Sequence, residues 1–218
     1  MLEHCPGHEH RDGIMDEAIG TVLATVDMAV VLERTGRLLR KYFGATRLAI
    51  HRCVDERPGT AETILVDDPR AKGREPGARF ALDGSLTGDA VREKRPVTLD
   101  HLEPGNPRYR EEALLGAMGY GAVAVFPLLF EGAAFGALEI AHAREEGLLD
   151  CCMQTASRVS GLIAIALQNS RRVDEVRRLN ALLRRENAHL KQEVQRARGE
   201  ARYIADSPVM RSVIDPVR

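Results

Sequence analysis

Tryptophan is absent from the 218 residues, and aromatic residues together make up only 4%. A buried core must therefore be assembled from Leu, Val, Ile and Ala. No run of about 18 apolar residues occurs, so no segment reads as a membrane-spanning helix. The opening MLEHCPGHEHRD lacks the apolar stretch of a secretory signal. There are four cysteines, two of them adjacent at Cys151 and Cys152, which is not a secreted disulfide framework. These absences lead to the expectation of a cytoplasmic protein without membrane contact. The phosphate-loop pattern G-x-x-x-x-G-K-[ST] is also missing, which excludes ATP hydrolysis by that device within this chain.

What is present has the balance of a globular protein, 44% hydrophobic and 29% charged, with a net charge of −1. That small net charge hides an asymmetry. Residues 171–202 carry ten Lys/Arg against five Asp/Glu, whereas residues 1–170 carry 19 against 25. The basic stretch lacks interleaved aromatics and alternates its charges with acids, so it reads as a solvated helix rather than a nucleic-acid surface.

Periodicity orders the elements. Residues 15–42 repeat apolar side chains at helical spacing, including Ile19, Val22, Val26, Leu38 and Leu39. TRLAIHRCV (46–54) alternates as a strand, ETILVDD (62–68) reads as a second, and residues 74–84 contain a third after a Pro-Gly turn. A helix from Ser85 to Lys94, a short strand VTL, a loop over 100–107 and a helix over 108–118 follow. A hairpin comes next, GAVAVFPLLF and FGALEIAHA around the expected turn EGAA, and from Leu148 a helix runs without a clear stop before Gly199. Strands follow each other too closely for repeated βαβ units. The expected class is α+β, an antiparallel sheet with N- and C-terminal helices on one face, followed by a long coiled-coil helix.

Two motifs carry a resemblance. GSLTGDAVREKRPVTLD (84–100) and VFPLLFEGAAFGALEIAH (125–142) resemble the two hallmark stretches of GAF domains, in the right order and at the right separation. The resemblance covers about residues 15–170 and implies a small-molecule sensing and dimerisation module. RYIADSPVMRSVIDPVR, at residues 202–218, resembles the segment that opens the AAA+ domain of sigma-54-dependent transcriptional activators, with Ala205 where glycine is usual. It begins like a helix, Ser207 as N-cap and Pro208 at the first helical position. The organisation expected is a flexible tail (1–14), a GAF sensory domain (15–170), a coiled-coil signalling linker (171–202) and the start of an AAA+ domain (203–218). On that resemblance the full-length protein would contact ATP, sigma-54 RNA polymerase and DNA, while this chain itself would be no enzyme. The alternatives are a GAF sensor of another signalling protein, such as a histidine kinase, or a GAF-fold thiol enzyme such as a methionine sulfoxide reductase.

The basic helix has a heptad register. Val173, Asn180, Asn187, Val194 and Ala201 fall at position a, and Val176, Leu183, Leu190 and Ala197 at position d. Leu at d with Asn at a favours a parallel two-stranded coil, because paired buried amides satisfy each other only in register. Glu186 and Glu193 at g then face Lys191 and Arg198 at e of a partner, so a homodimer is expected.

Candidate binding chemistry lies in two places. His4, Cys5, His8 and His10 crowd the N-terminus, a set able to hold a borderline divalent ion or simply part of a polar tail. On the first strand Leu48 and Ile50 alternate with His51 and Cys53; in the hairpin Leu138 and Ile140 alternate with Glu139. His51, Cys53 and Glu139 are therefore expected to line an effector pocket with His101, under a cover between Phe80 and Tyr109. The pocket would take a small effector or a bound metal ion. Cys151 and Cys152, at a helix start, read as buried small residues or as redox-sensitive thiols.

Overall fold

The computed structural model describes residues 13, 16–20, 28–43, 47–68, 76–143, 150–205 and 209. In chain order these form α1 (Met28–Phe43), β1 (Arg47–Cys53), β2 (Thr60–Asp67), β3 (Arg79–Ala81), α2 (Leu86–Glu93), β4 (Val97–Leu99), α3 (Arg110–Ala117), β5 (Ala122–Phe130), β6 (Ala133–His142) and α4 (Asp150–Ala205). The strands make one antiparallel sheet in the order β3-β2-β1-β6-β5-β4. This is the α+β architecture expected from the pattern. The chain divides into two units, Met1–Ser170 and Arg171–Arg218.

In the first unit the sheet is covered on both faces, and the period-2 alternation of its strands decides what each face buries. Leu48, Ile50, Phe126, Leu138 and Ile140 form one cluster with Leu38 and Leu39 of α1 and with Val159, Ile163 and Leu167 of α4. The alternate positions Val123, Val125, Ala137 and Ala141 form a second cluster with Leu86 and Ala90 of α2, Leu115 of α3 and Tyr120. The terminal helices thus share one face, while α2 and α3 take the other.

Two glycines of the hallmark stretches have a steric cause. A Cβ on Gly88 would lie 1.9 Å from the Leu82 carbonyl oxygen, and one on Gly136 would lie 2.3 Å from that of His51. Each lets one stretch of backbone press on another. Ser85 caps α2 by accepting a hydrogen bond from the Gly88 N–H at 2.9 Å.

Two boundaries differ from expectation. The hairpin turn is only Glu131-Gly132, both at positive φ (50° and 78°), and Ala133 already pairs with Phe130. Two left-handed residues suffice to match the strand twist. The short third strand expected after the Pro-Gly turn is Arg79–Ala81, and Gly77 and Gly84, at φ 103° and 67°, turn the chain on either side. Helix α4 passes through Gly199 and ends at Ala205.

In the second unit the helix is exposed throughout residues 174–196. Val176, Leu183, Leu190 and Val194 are each about half exposed, at 51–56%. Asn187 donates its amide to the Leu183 carbonyl at 3.1 Å. Arg178 holds Glu175 at 3.0 Å and His189 approaches Glu193 at 3.8 Å along the same helix. Among the described residues, no helix is long and apolar enough to cross a membrane. The tail cluster of His4, Cys5, His8 and His10 lies outside the described residues, as does nearly all of 203–218.

Candidate effector site

The site begins with one cross-strand pair. Ala49 of β1 stands opposite Glu139 of β6, and Arg47 and His51 lie two residues to either side of Ala49 on the same face. The small alanine leaves the Glu139 carboxylate flanked by both larger neighbours. Arg47 Nε donates to Glu139 Oε1 at 2.9 Å, and His51 Nε2 lies 3.5 Å from Glu139 Oε2. Arg47 also donates through Nη1 to Asp68 Oδ2 at 2.8 Å, and the Tyr120 hydroxyl donates to Asp68 Oδ1. His51 Nδ1 meets the Thr63 hydroxyl of β2 at 3.1 Å. His51 is only 5% exposed, yet its Nε2 has no hydrogen-bond partner among the described residues.

Above this row lies a cavity of about 120 Å3, lined by Arg47, His51, Thr63, Val66, Ala78, Arg79, Phe80, Arg110, Glu111, Leu114 and Glu139. Phe80 of β3 packs edge-on to His51, ring centroids 5.0 Å apart, and the Arg110 guanidinium stacks on Phe80 at 4.6 Å. Glu111 of α3 crosses to α2 and accepts from the Leu86 N–H at 3.1 Å and the Thr87 N–H at 3.4 Å. It thereby fills the helix N-terminus with a carboxylate. Glu112 reaches back to the Arg108 and Tyr109 N–H groups and starts α3, which fixes where Arg110, Glu111 and Leu114 stand.

The GAF-domain family model matches residues 27–167. The chain belongs to the GAF family. No curated protein sequence matches it significantly. Among solved structures, the GAF domain of a phosphoenolpyruvate-protein phosphotransferase from Coxiella burnetii is similar with a TM-score of 0.65, at 16% identity over 77% of this chain and 98% of that one. A free methionine-R-sulfoxide reductase from Neisseria meningitidis, in complex with its substrate, gives 0.59 at 16% identity over 78% and 97%. The GAF domain of a two-component sensor histidine kinase from Bacillus halodurans gives 0.53 at 13% identity over 75% and 97%. At such identities these likenesses speak for the GAF fold alone.

The pKa values of the two carboxylates of the GAF cavity are shifted in opposite directions. Burial works to raise the Glu139 pKa, but His51 and Arg47 outweigh it and hold it at about 2. For Arg47 burial opposes the charge, and Glu139 and Asp68 overcome it and raise the pKa. Burial raises the Glu111 pKa, the nearby Glu139 charge adds to this, and the N–H groups of Leu86 and Thr87 only partly offset it.

Of the residues singled out in the sequence, the structure brings His51, Phe80 and Glu139 together at the cavity. The other three stand elsewhere. Cys53 is half-buried at the end of β1, beyond the cavity, and burial, with Asp55 beside it, pushes its thiol pKa up. His101 is exposed on the loop after β4. Tyr109 is buried in the second cluster and gives its hydroxyl to Asp89 at 2.7 Å, so Arg110 and Glu111 cover the cavity in its place. The side chains of Cys151 and Cys152 lie outside the described set. Among the described residues, no three His, Cys, Asp or Glu side chains converge as metal ligands. Arg47, Thr63, Arg110 and Glu111 are the cavity-lining polar residues that sequence reasoning missed. For Arg47 the signal was there, since it continues the alternation of His51 by two positions twice over.

Proposed function

We propose that this chain is the sensory region of a sigma-54-dependent transcriptional activator. Its GAF unit takes a small effector in the cavity, and the helix beyond Arg171, paired in parallel with that of a second copy, relays occupancy to an AAA+ ATPase. The observation that carries the sensing role is the cavity itself, which His51 lines together with Glu111 and Arg110, and the His51 Nε2 has no hydrogen-bond partner among the described residues. Polar capacity left open beside apolar walls is the character of a small-molecule site. The output rests on the likeness of residues 203–218 to the entrance of an AAA+ domain. The parallel homodimer rests on the exposed Val176, Leu183, Leu190 and Val194, and on Glu186 and Lys191, which make no ion pair with a described residue.

Thiol chemistry at Cys53 is disfavoured, because a half-buried thiol with a raised pKa is a poor nucleophile and Cys53 does not line the cavity. The chain is therefore read as a binding module rather than an enzyme. Joined through residue 218 to the AAA+ and DNA-binding parts of a sigma-54 activator, it should make transcription from a sigma-54 promoter depend on the cavity. Arg110→Met should change that output. An output identical with and without residues 1–202 would refute the sensory role.

A further inference from the structure

The ligand's class can be read from the charges that line the cavity. At its buried end Arg47 and the carboxylates of Glu139 and Glu111 line the cavity, and Arg47 is already engaged by Glu139 and by Asp68, which lies outside the lining. Among the described residues, Glu111 has only backbone N–H groups as hydrogen-bond partners. Carboxylate charge in excess of its cationic partners is costly to bury unless a further positive group arrives. His51 stands at the same end, its buried Nε2 3.5 Å from Glu139 Oε2 and without a hydrogen-bond partner among the described residues. At the mouth the sign reverses. Arg110 is exposed, stacked on Phe80, and makes no ion pair with a described residue. Arg79 is 47% exposed and reaches Glu62 only at 3.5 Å. The rest of the lining is apolar, Val66, Ala78, Phe80 and Leu114, apart from Thr63, whose hydroxyl meets His51 Nδ1.

We infer that the cavity takes a small zwitterion, its ammonium group at the Glu111–Glu139 end and its carboxylate at the Arg110 mouth, as a free amino acid with a compact side chain would present them. This rests on the effector reading above and narrows it. An ammonium group brings three donors in a small volume, enough to serve the Glu111 and Glu139 carboxylates together. A carboxylate accepts charge-assisted hydrogen bonds from a guanidinium fork. A plain anion would add negative charge beside two carboxylates, and a plain cation would leave the arginine mouth unused. At about 120 Å3 the space is slightly below the roughly 150 Å3 that holds one benzene ring, which sets the scale of the ligand body.

The test is calorimetric titration of the full 218-residue chain with glycine, L-alanine, L-serine and L-valine. Each is matched by analogues lacking one charge, such as isovalerate and isobutylamine for valine. At least one amino acid should bind, and both of its half-ligands should bind at least about tenfold more weakly. Glu111→Gln should weaken the amino acid by about fivefold or more while leaving the anionic half-ligand no weaker. Arg110→Met, an exposed change that spares the fold, should weaken the amino acid and the anion together. Binding by none of the amino acids, or equal binding of one half-ligand, overturns the zwitterion. Hydrogen exchange along α4 separates the two readings. An anion alone that alters exchange overturns the ligand class and keeps the sensor; an amino acid that binds and alters nothing keeps the class and overturns the sensor.

Discussion

The two faces of the central sheet are built from the same strands and both bury an apolar cluster, yet one of them also carries a row of buried polar residues. On the α1–α4 face, positions 48, 50, 138 and 140 are Leu, Ile, Leu and Ile. One residue along each strand, positions 47, 51 and 139 are Arg, His and Glu, exposed by 5% or less. The hydrophobic effect alone accounts for the first face. On the second, the apolar cluster of Val123, Val125, Ala137 and Ala141 gives way at β1 to a polar row that survives because Arg47, Glu139, Asp68, Tyr120, His51 and Thr63 engage one another, and a network of that sort fixes geometry at the cost of stability. Two apolar clusters supply burial, and the polar row beside one of them is free to specialise.

Truncation should expose the contrast. Phe126 is wholly buried in the dry cluster, so Phe126→Ala should lower unfolding free energy by about 3–5 kcal/mol in urea titrations. On the polar face Arg47→Met keeps the volume but strands two buried carboxylates, at a cost of about 3–5 kcal/mol. The two losses differ in what repairs them. Adding Glu139→Leu to Arg47→Met should restore at least half of the loss, because the unpaired charge goes with it. No second change beside Phe126→Ala has that effect without refilling the cavity. A double variant as unstable as Arg47→Met would mean that Asp68, not Glu139, carries the penalty.

Acid sharpens the comparison within the polar face. The Glu139 pKa falls from the ordinary 4.5 to about 2, so its contribution is present above the unfolded value and is lost as pH drops from about 4.5 towards 2. That window corresponds to about 3 kcal/mol at about 1.4 kcal/mol per pH unit. Glu111 has the opposite sign. Its raised pKa means that the folded state holds the proton more tightly, so its contribution is present at low pH and declines as pH rises through the folded value. Glu139→Gln should therefore flatten the acid limb of the stability curve. Glu111→Gln should cost less than about 1 kcal/mol at neutral pH, since an amide oxygen still accepts from the α2 N-terminus. Loss of the acid limb in Glu111→Gln instead would reverse the assignment.

Much of this organisation was legible because alternation is local. A period of two places His51 and Glu139 opposite Ile50 and Leu138 without any knowledge of how β1 and β6 pair. The fold class, the hallmark glycines and the short strand Val97–Leu99 follow from equally local signals. What was hidden depends on long-range meetings. Asp68 and Tyr120 are 52 positions apart and Glu111 meets Leu86 across 25, and no spacing rule announces either contact. Tyr109 was misjudged by a single residue. Its place at the start of α3 turns its hydroxyl to Asp89, and the next two residues take the cavity.

The smallest effect on the sheet should come from the helix beyond Ser170, and this tests whether the two units are separable. Leu183 and Leu190 are 55% and 51% exposed, so a single chain loses little burial when they change. Leu183→Asp with Leu190→Asp should shift the stability of the GAF unit by no more than about 0.5 kcal/mol. In the proposed parallel dimer the same pair removes the d-position seam and places like charges across it, so sedimentation should show monomer. Asn187 already bonds to the Leu183 carbonyl within its own helix, leaving its side-chain oxygen and a second N–H for a partner's amide. Spin labels at Arg196→Cys should then sit within about 20 Å of each other, because parallel helices in contact run about 10 Å apart and each label adds its own reach. Labels tens of ångströms beyond that would mean an antiparallel pair. A dimer that survives both aspartates would place the interface in the GAF unit, and the apolar stripe of the helix would then need another partner.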